Sequence, residues 1–549
     1  MKPCNVLLVY PAFPRDSFWN IKTTAEVSGA KHHTIPLGLI TVAAMLPKEW
    51  SCKLVDRNIA ALTDADLAWA DLVMTGGMSL QRDDALEVVE WAQRLGKPVA
   101  IGGPDVSSEP ERFRHVDFRV EGEAEGIIAE FIAAWERGER RGAFAAEKFK
   151  VDVTTTPIPR FDLLDPRDYM YFSLQFSRGC PFMCEFCDVI ELFGRVPRVK
   201  SIEQFVAELE ALHAWGYRGH LDVVDDNFIG NKKAVKALLP ALIAWQERHF
   251  YPYWLSTEAS LNLAEDDELL GLMKAANFGV IFTGIESPDP ATLIAAKKKQ
   301  NTRRGLGEAV RKIYEYNMFV IGGFVVGFDT ESANLAREMI DCVEETAIPV
   351  CMVSLLVALP TTQLSKRLAI EGRLYPFSWL EQQAQVQARG GGLDQCTYGL
   401  NFETHRPRRA ILEDYKRILD EIYEPGRYFA RVRRVATLMP TSLTHWVDRF
   451  PAERKFLGSA KAEWAIMGRI LLSAARDPRT LFHVLREIAW TLRNKPEAML
   501  VVGRAVALYL HVGFFARKVS ASIDEQLAAI DQGLWKPPVL RAGAESLGS

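Results

Sequence analysis

The 549-residue chain is short of cysteine and histidine, with 8 and 10. So few cysteines exclude a disulfide-stapled scaffold. No apolar leader with a small-residue cleavage site is present: Met1–Tyr10 holds one lysine and then a strand-like run, so no secretory signal is read. The longest apolar stretch near the C-terminus, Ala498–Ala516, is broken by Arg504 and His511, so a membrane-spanning helix is not expected. There is no tandem repeat and no low-complexity block. A net charge of −4, from 66 basic and 70 acidic residues, excludes a chain that is basic throughout. Hydrophobic residues at 48% and charged residues at 25% exclude a disordered polyelectrolyte. The length allows three or four domains, and the cysteine usage points to a cytoplasmic protein with reduced thiols.

What is present divides into regions. In residues 1–150, short apolar runs at Val6–Tyr10, Cys52–Val55, Asp71–Thr75, Pro98–Ile101 and Phe118–Val120 alternate with helical patterns such as Asp83–Leu95. Alternation of this kind predicts a parallel, Rossmann-like (flavodoxin-like) α/β sheet. Two runs end in glycine, Thr75-Gly76-Gly77-Met78 and Ile101-Gly102-Gly103-Pro104. Ligands of such sheets bind outside the carboxyl ends of the strands, where glycine admits close approach, although glycines can equally just turn the chain. Residues 151–169 are proline-rich and read as a linker. Residues 170–400 repeat the pattern about six times, from Phe172–Phe176 to Cys351–Val357, which fits a full or partial α/β barrel. Residues 401–520 read as mainly helical, and 521–549 as a frayed tail. From Arg427 to Lys518 there are 17 Lys/Arg against 6 Asp/Glu, a net of +11, so the remainder carries −15.

The chemistry is concentrated in Cys180-Pro-Phe-Met-Cys184-Glu-Phe-Cys187, directly after the first strand of the second region. Three thiolates at C-x₃-C-x₂-C spacing suit a 4Fe–4S cluster that leaves one iron open. A structural zinc site would want a fourth ligand, and His213 is the nearest histidine. Cys4, Cys52, Cys342, Cys351 and Cys396 read as bystanders, mostly small core residues.

This motif, with Phe186 before its last cysteine, resembles that of the radical S-adenosylmethionine (SAM) enzymes. The resemblance covers residues 170–400. It implies that Cys180, Cys184 and Cys187 bind the cluster and that the open iron chelates SAM. Val224-Asp225-Asp226-Asn227 stands where the family holds the SAM amino group, without the family's Gly-Gly-Glu form. Ser256-Thr257-Glu258 resembles the strand whose carboxylate holds the ribose, and Thr283-Gly284-Ile285-Glu286 the motif beside the adenine or methionyl group. The SAM-binding candidates are therefore Phe186, Asp225, Asp226, Asn227, Glu258, Gly284 and Glu286. Placed before such a barrel, region one resembles a cobalamin-binding domain. The similarity includes Ile35-Pro36-Leu37-Gly38-Leu39, Val55-Asp56 and Glu121-Gly122-Glu123. Its candidate contacts are Gly38, Asp56, Thr75, Gly76, Gly77, Met78, Gly102, Gly103, Glu121 and Gly122. No D-x-H-x-x-G occurs, so a histidine ligand to cobalt is not expected.

The pairing of cofactors implies methyl transfer to an unactivated sp³ carbon. A deoxyadenosyl radical would remove hydrogen, methylcobalamin would deliver the methyl group, and a second SAM would restore it. The runs Asp188–Arg198 and Asp225–Lys233, with Ile35–Pro47, resemble the hopanoid C-2 methylase group. The expected substrate is therefore a hopanoid lipid. The expected partners are a low-potential donor of flavodoxin or ferredoxin type and an anionic membrane surface on the cytoplasmic side, met by basic amphipathic segments such as Leu481–Arg493 and Met499–Lys518. Nucleic acid is not expected. The alternatives are another radical reaction on the same architecture, such as oxidation, cyclisation or rearrangement, and a non-enzymatic lipid-binding protein.

Overall fold

A computed structural model describes residues 2–14, 17–376, 396–440 and 460–538. The segment Gly391–Gln395, whose sequence reads as a loop leading to Cys396, and the end of the tail, residues 539–549, lie outside the described residues.

The first region forms a six-stranded, wholly parallel sheet in the order β2-β1-β3-β4-β5-β6. Its strands are β1 (Asn5–Tyr10), β2 (Ser51–Asp56), β3 (Leu72–Gly76), β4 (Val99–Gly102), β5 (Phe118–Glu121) and β6 (Gly142–Ala145). Apolar clusters fill both faces, one around Leu7, Val9, Val73 and Val89 and the other around Val6, Leu8, Phe118 and Phe131. Buried on two sides, the central strands are near-continuous apolar runs, which is why they read so plainly in the sequence. The edge strand β6 does not, because Gly-Ala-Phe-Ala alternates half-buried and exposed residues with little apolar bulk.

The stretch 151–169 is packed rather than loose. Phe161 is buried, the Arg160 amide donates to the Ile40 carbonyl, and His32 bridges to Tyr169. The second region begins with β7 (Phe172–Leu174). A short antiparallel pair follows, β8 (Ser177–Arg178) with β9 (Arg198–Val199). Then come β10 (Gly219–Val223), β11 (Tyr253–Glu258), β12 (Phe278–Glu286), β13 (Phe319–Val326) and β14 (Val350–Leu355). Strands β7 and β10–β14 form a parallel sheet in sequence order, a six-stranded partial barrel with its helices outside.

The C-terminal region is helical: Arg408–Ile422, Pro425–Leu438, Ala460–Ala474, Pro478–Asn494 and Met499–Asp531. The last helix corrects the expected tail, since it continues through Asp531 and buries Ile523 and Gln526. It is long and apolar enough to cross a membrane, but most of its apolar stretch is packed inside the molecule. It touches the helix Lys22–Ser28, and the Thr24 hydroxyl donates to the Ala507 carbonyl at 3.1 Å.

Candidate active site

The cysteine loop leaves the mouth of the barrel between β8 and β9, which pair with each other and close it at the base. Gly179 takes φ = +97°, and a Cβ there would lie 2.9 Å from the Gly194 carbonyl oxygen, so glycine is required. Asp225 fixes the entry to the loop, accepting from the amides of Phe176 (2.7 Å) and Ser177 (2.9 Å) and from the Ser177 hydroxyl (2.6 Å). Asp226 accepts from the Gly179 amide at 2.7 Å. On the far side Glu185 pairs with Arg367 at 2.9 Å, and its carbonyl accepts from Leu364. Asn227 Nδ2 lies 3.8 Å from Cys180 Sγ and Gln300 Nε2 lies 3.7 Å from Cys184 Sγ, so two neutral donors face the sulfurs.

Burial pushes all three thiols up, Cys187 furthest. Bound metal is what converts such thiols to thiolates. Among the described residues, the one set of three ligating atoms all within 4.8 Å of one another is Glu210–His213–His249. The cysteine sulfurs thus stand wider than one ion would want. Three soft ligands on one loop with donors aimed at sulfur fit a cluster.

The other SAM candidates separate into two groups. Phe186 packs edge-on against Phe328 at 5.8 Å, with Lys298 Nζ 6.0 Å from its ring centre. At Gly284 a Cβ would lie 2.3 Å from Glu286 Oε1, so the Glu286–Lys298 pair sits directly against this stretch of β12. Glu258, at the end of β11, has an exposed carboxylate that is nevertheless surrounded by protein, so its surface opens into an enclosed space. That enclosure, with Asp222, Asp226 and Asp225 nearby, pushes its carboxyl up to about 8. Two candidates have other work. Asp225 is buried with both oxygens engaged in bracing the loop, so it is a scaffold for the cluster rather than a SAM ligand. Glu286 is buried in an ion pair with Lys298.

In the first domain the carboxyl ends of β3 and β4 form a flat glycine floor. A Cβ on Gly76 would lie 2.2 Å from the Gly102 carbonyl oxygen, and one on Gly103, at φ = +96°, would lie 3.2 Å from the Gly77 amide. Thr75 is buried and donates to the Val9 carbonyl, while Met78 is exposed beside the floor. Three expected contacts are engaged elsewhere. Asp56 accepts from Asn58 and from the Tyr169 hydroxyl, Glu121 pairs with Arg119 at 2.7 Å, and the Gly122 amide donates to the Ser107 hydroxyl. Gly38 lies in the helix Leu37–Met45, where a Cβ would meet nothing within 4 Å.

The sequence reading missed how the two domains are joined. Glu123 and Glu125, just beyond β5, hold Arg178, the residue before Gly179-Cys180, at 3.1 and 2.7 Å. Glu123 also holds Arg198 at 2.7 Å. All four side chains are largely buried. The carboxyl edge of the first sheet is thereby fastened to the base of the cysteine loop. Lys298 and Gln300 were also missed. Their only signal was the polar run Lys297-Lys298-Lys299-Gln300-Asn301 after β12.

The barrel is hollow. Along β10–β13, His220, Asp222, Trp254, Glu258, Val280, Phe282 and Ile321 keep accessible surface, while their alternating neighbours Leu221, Val223, Leu255, Ile281 and Val320 are buried against helices. Side chains alternate across a strand, so the accessible set is the inner wall. The wall is divided, polar and aromatic on β10 and β11 and apolar on β12 and β13. On the polar side Ser256 donates to Asp222 and meets His220 Nε2 at 2.7 Å. Enclosure pushes Asp222 up to about 6 and holds His220 well below the usual range.

Residues 174–343 match the radical SAM superfamily, and 362–525 match a domain of unknown function, DUF4070. The chain is 44% identical over 427 residues to an uncharacterized methyltransferase of Synechocystis sp., covering 77% of each protein. It is 42% identical over 343 residues to the hopanoid C-2 methylase of Rhodopseudomonas palustris, covering 62% of this chain and 65% of that one. The fold is similar to that of the radical SAM methyltransferase TsrM from Kitasatospora setae, solved with cobalamin and a 4Fe–4S cluster bound (TM-score 0.53, 18% identity, 68% of this chain and 78% of that one). It is also similar to that of OxsB, a cobalamin-dependent S-adenosylmethionine radical enzyme (TM-score 0.52, 14% identity, 97% and 82%).

Proposed function

The chain belongs to the radical SAM methyltransferase family, and we propose that it methylates an unactivated sp³ carbon of a hopanoid-type lipid, with a 4Fe–4S cluster, SAM and cobalamin as cofactors. The observation that carries this reading is the juxtaposition of a three-cysteine loop, a hollow barrel and a glycine-floored sheet edge, with buried charges joining loop to edge. The 42% identity to a hopanoid C-2 methylase supports the substrate.

Cys180, Cys184 and Cys187 would hold the cluster, and Asn227 and Gln300 would donate to their sulfurs. Phe186, Gly284 and Glu258 line the space where SAM would lie. Thr75–Met78 and Gly102–Gly103 offer the surface a flat corrin would need. When bound, these groups supply a hydrogen-abstracting radical and a methyl carrier. This chain's own residues orient the substrate and exclude water. Val280, Phe282 and Ile321 give an apolar body a dry wall on one side of the lumen. Electrons would come from a low-potential donor of flavodoxin or ferredoxin type.

A lipid substrate calls for a surface from which to collect it. The helix Pro478–Asn494 buries Thr480, Val484, Glu487 and Thr491 and leaves three large apolar residues facing outward. Phe482 is 62% exposed, Leu485 49% and Leu492 61%, all on one face, with Arg479, Arg486 and Arg493 beside them. Such a face suits an anionic bilayer surface on the cytoplasmic side.

The test is lipid profiling of a hopanoid-producing host with and without the gene. Methylated hopanoid should appear only with it and vanish in Cys184→Ala. An unchanged lipid profile would remove the substrate assignment. A second reading is favoured by one relative, the anaerobic magnesium-protoporphyrin IX monomethyl ester cyclase of Synechocystis sp., 27% identical over 337 residues. A product lacking the added CH₂ would favour that chemistry.

A further inference from the structure

The floor of the barrel contains an uncompensated cation. Arg504 projects from the helix Met499–Asp531 and sets its guanidinium 3.8 Å from the Trp254 ring centre. Trp254 opens β11 and lies in register with His220 on β10, whose ring stacks on it at 3.7 Å and 13°. Tyr171 packs on His220 at 4.8 Å. Among the described residues Arg504 makes no ion pair and no hydrogen bond, and its Nη1 is buried without a partner. The residue is half-buried, and the loss of hydration pushes it down to about 10, so it remains a cation at neutral pH.

A guanidinium carries five N–H donors, and enclosing it without acceptors is costly. One aromatic face offsets only a small part of that cost. His220, the ring stacked on Trp254, is held neutral and brings no negative charge. Nη1 thus lacks an acceptor within the chain, and the residue keeps accessible surface through which an oxygen acceptor from outside can reach the guanidinium. The accessible inner wall, with Glu258 at the mouth and Trp254 at the floor, shows how one could. Four residues of strand separate those two levels, about 13 Å at 3.3 Å per residue.

We propose that Arg504 anchors the far end of the substrate by an acceptor oxygen (carboxylate, phosphate or hydroxyl), with an otherwise apolar body running up the lumen toward the cysteine loop. Trp254 is the platform that fixes the guanidinium. The substrate class is an amphiphile with its polar group at one end of a body long enough to run from the Trp254 level to the Glu258 level, about 13 Å along the strand. This rests on the methyl-transfer reading for which end reacts, but not for the anchor itself.

The experiment is calorimetric titration of anaerobic holoenzyme with matched probes: a pentacyclic triterpene hydrocarbon, its monoalcohol and its monocarboxylic acid, then dodecane, dodecanol, dodecanoate and dodecyl phosphate. Oxygenated probes should bind about tenfold to a hundredfold tighter than the hydrocarbon of the same skeleton. Arg504→Gln should erase the difference, and Arg504→Lys, which keeps a cation, should retain part of it for the anions. Unchanged cluster and cobalamin spectra would show that both variants are folded. The acid, phosphate and alcohol arms identify which oxygen is preferred. Equal affinity for hydrocarbon and oxygenated probes, or a preference that survives Arg504→Gln, overturns the anchor. A preference that depends on Arg504 in the dodecyl series, with no triterpenoid binding, keeps the anchor and rejects the hopanoid substrate instead.

Discussion

The two parallel sheets have the same number of strands and opposite uses. The first is flat and packed on both faces, by the clusters around Val73 and around Phe118. No room is left inside it, so a ligand can lie only at its carboxyl edge, where Gly76, Gly77, Gly102 and Gly103 keep the surface low. The second is curved, packed outside and open within. Its strands therefore carry His220, Asp222, Trp254 and Glu258 at positions where the first sheet carries valine and leucine. One βα pattern thus yields an edge site or a lumen site according to whether the second face is filled. The buried charges Glu123, Glu125, Arg178 and Arg198 hold the edge against the mouth of the lumen.

The largest effect that breaks this comparison is loss of the cysteine loop. Cys180→Ala, Cys184→Ala and Cys187→Ala should each abolish turnover and the brown chromophore, with iron and sulfide analysis as the check. The next strongest disturbance is at the junction. Glu125→Gln removes one of the two carboxylates that hold Arg178 and should cost about 1–3 kcal/mol. Chemical denaturation reads the cost, and iron retention after gel filtration shows whether the loop loosens. A smaller effect separates edge from lumen. Gly76→Val puts a side chain against the Gly102 carbonyl, and at about 2 kcal/mol of strain should depress cobalamin content while leaving iron content near wild type. Equal loss of both cofactors would mean that the sheets do not act as separate sites. Phe482→Ser with Leu485→Ser should weaken sedimentation with anionic vesicles severalfold and leave the activity on detergent-solubilised lipid intact.

The smallest expected effect concerns pH. Glu258 in the folded protein is raised to about 8, so without ligand its ionisation is disfavoured across the interval from its ordinary range, near 4.5, up to about 8. That is a penalty on the folded state that grows as pH rises through the interval. A ligand that hydrogen-bonds to the carboxylate relieves it. SAM affinity should therefore rise severalfold from pH 6.5 to 8.5 and stay flat in Glu258→Gln, as read by equilibrium dialysis.

Much of this arrangement was legible before any coordinates. Strands buried on both faces read as apolar runs, and the cysteines read plainly because cluster ligation demands fixed residue types at fixed spacing. Glycines at β3 and β4 were visible as run endings, and their steric necessity needed the neighbouring strand. What stayed hidden are pairings across sequence distance. Glu125 and Arg178 lie 53 positions apart on different domains, and neither is unusual in its own neighbourhood. Asp225 looked like a ligand because its segment stands where the family holds the SAM amino group, and is instead spent on the Phe176 and Ser177 amides. Arg504 was visible only as an interruption in an apolar helix, while its meaning depends on Trp254, 250 residues earlier.

The central claim is methyl transfer at the meeting of edge and lumen. Its most direct measurement is anaerobic turnover of a hopanoid lipid by reconstituted holoenzyme, with mass spectrometry of every product. The account predicts a lipid heavier by one CH₂, about 14 mass units, with deoxyadenosine and S-adenosylhomocysteine formed about one to one with it. A lipid product of unchanged carbon count, or full turnover in cobalamin-free protein, would contradict it.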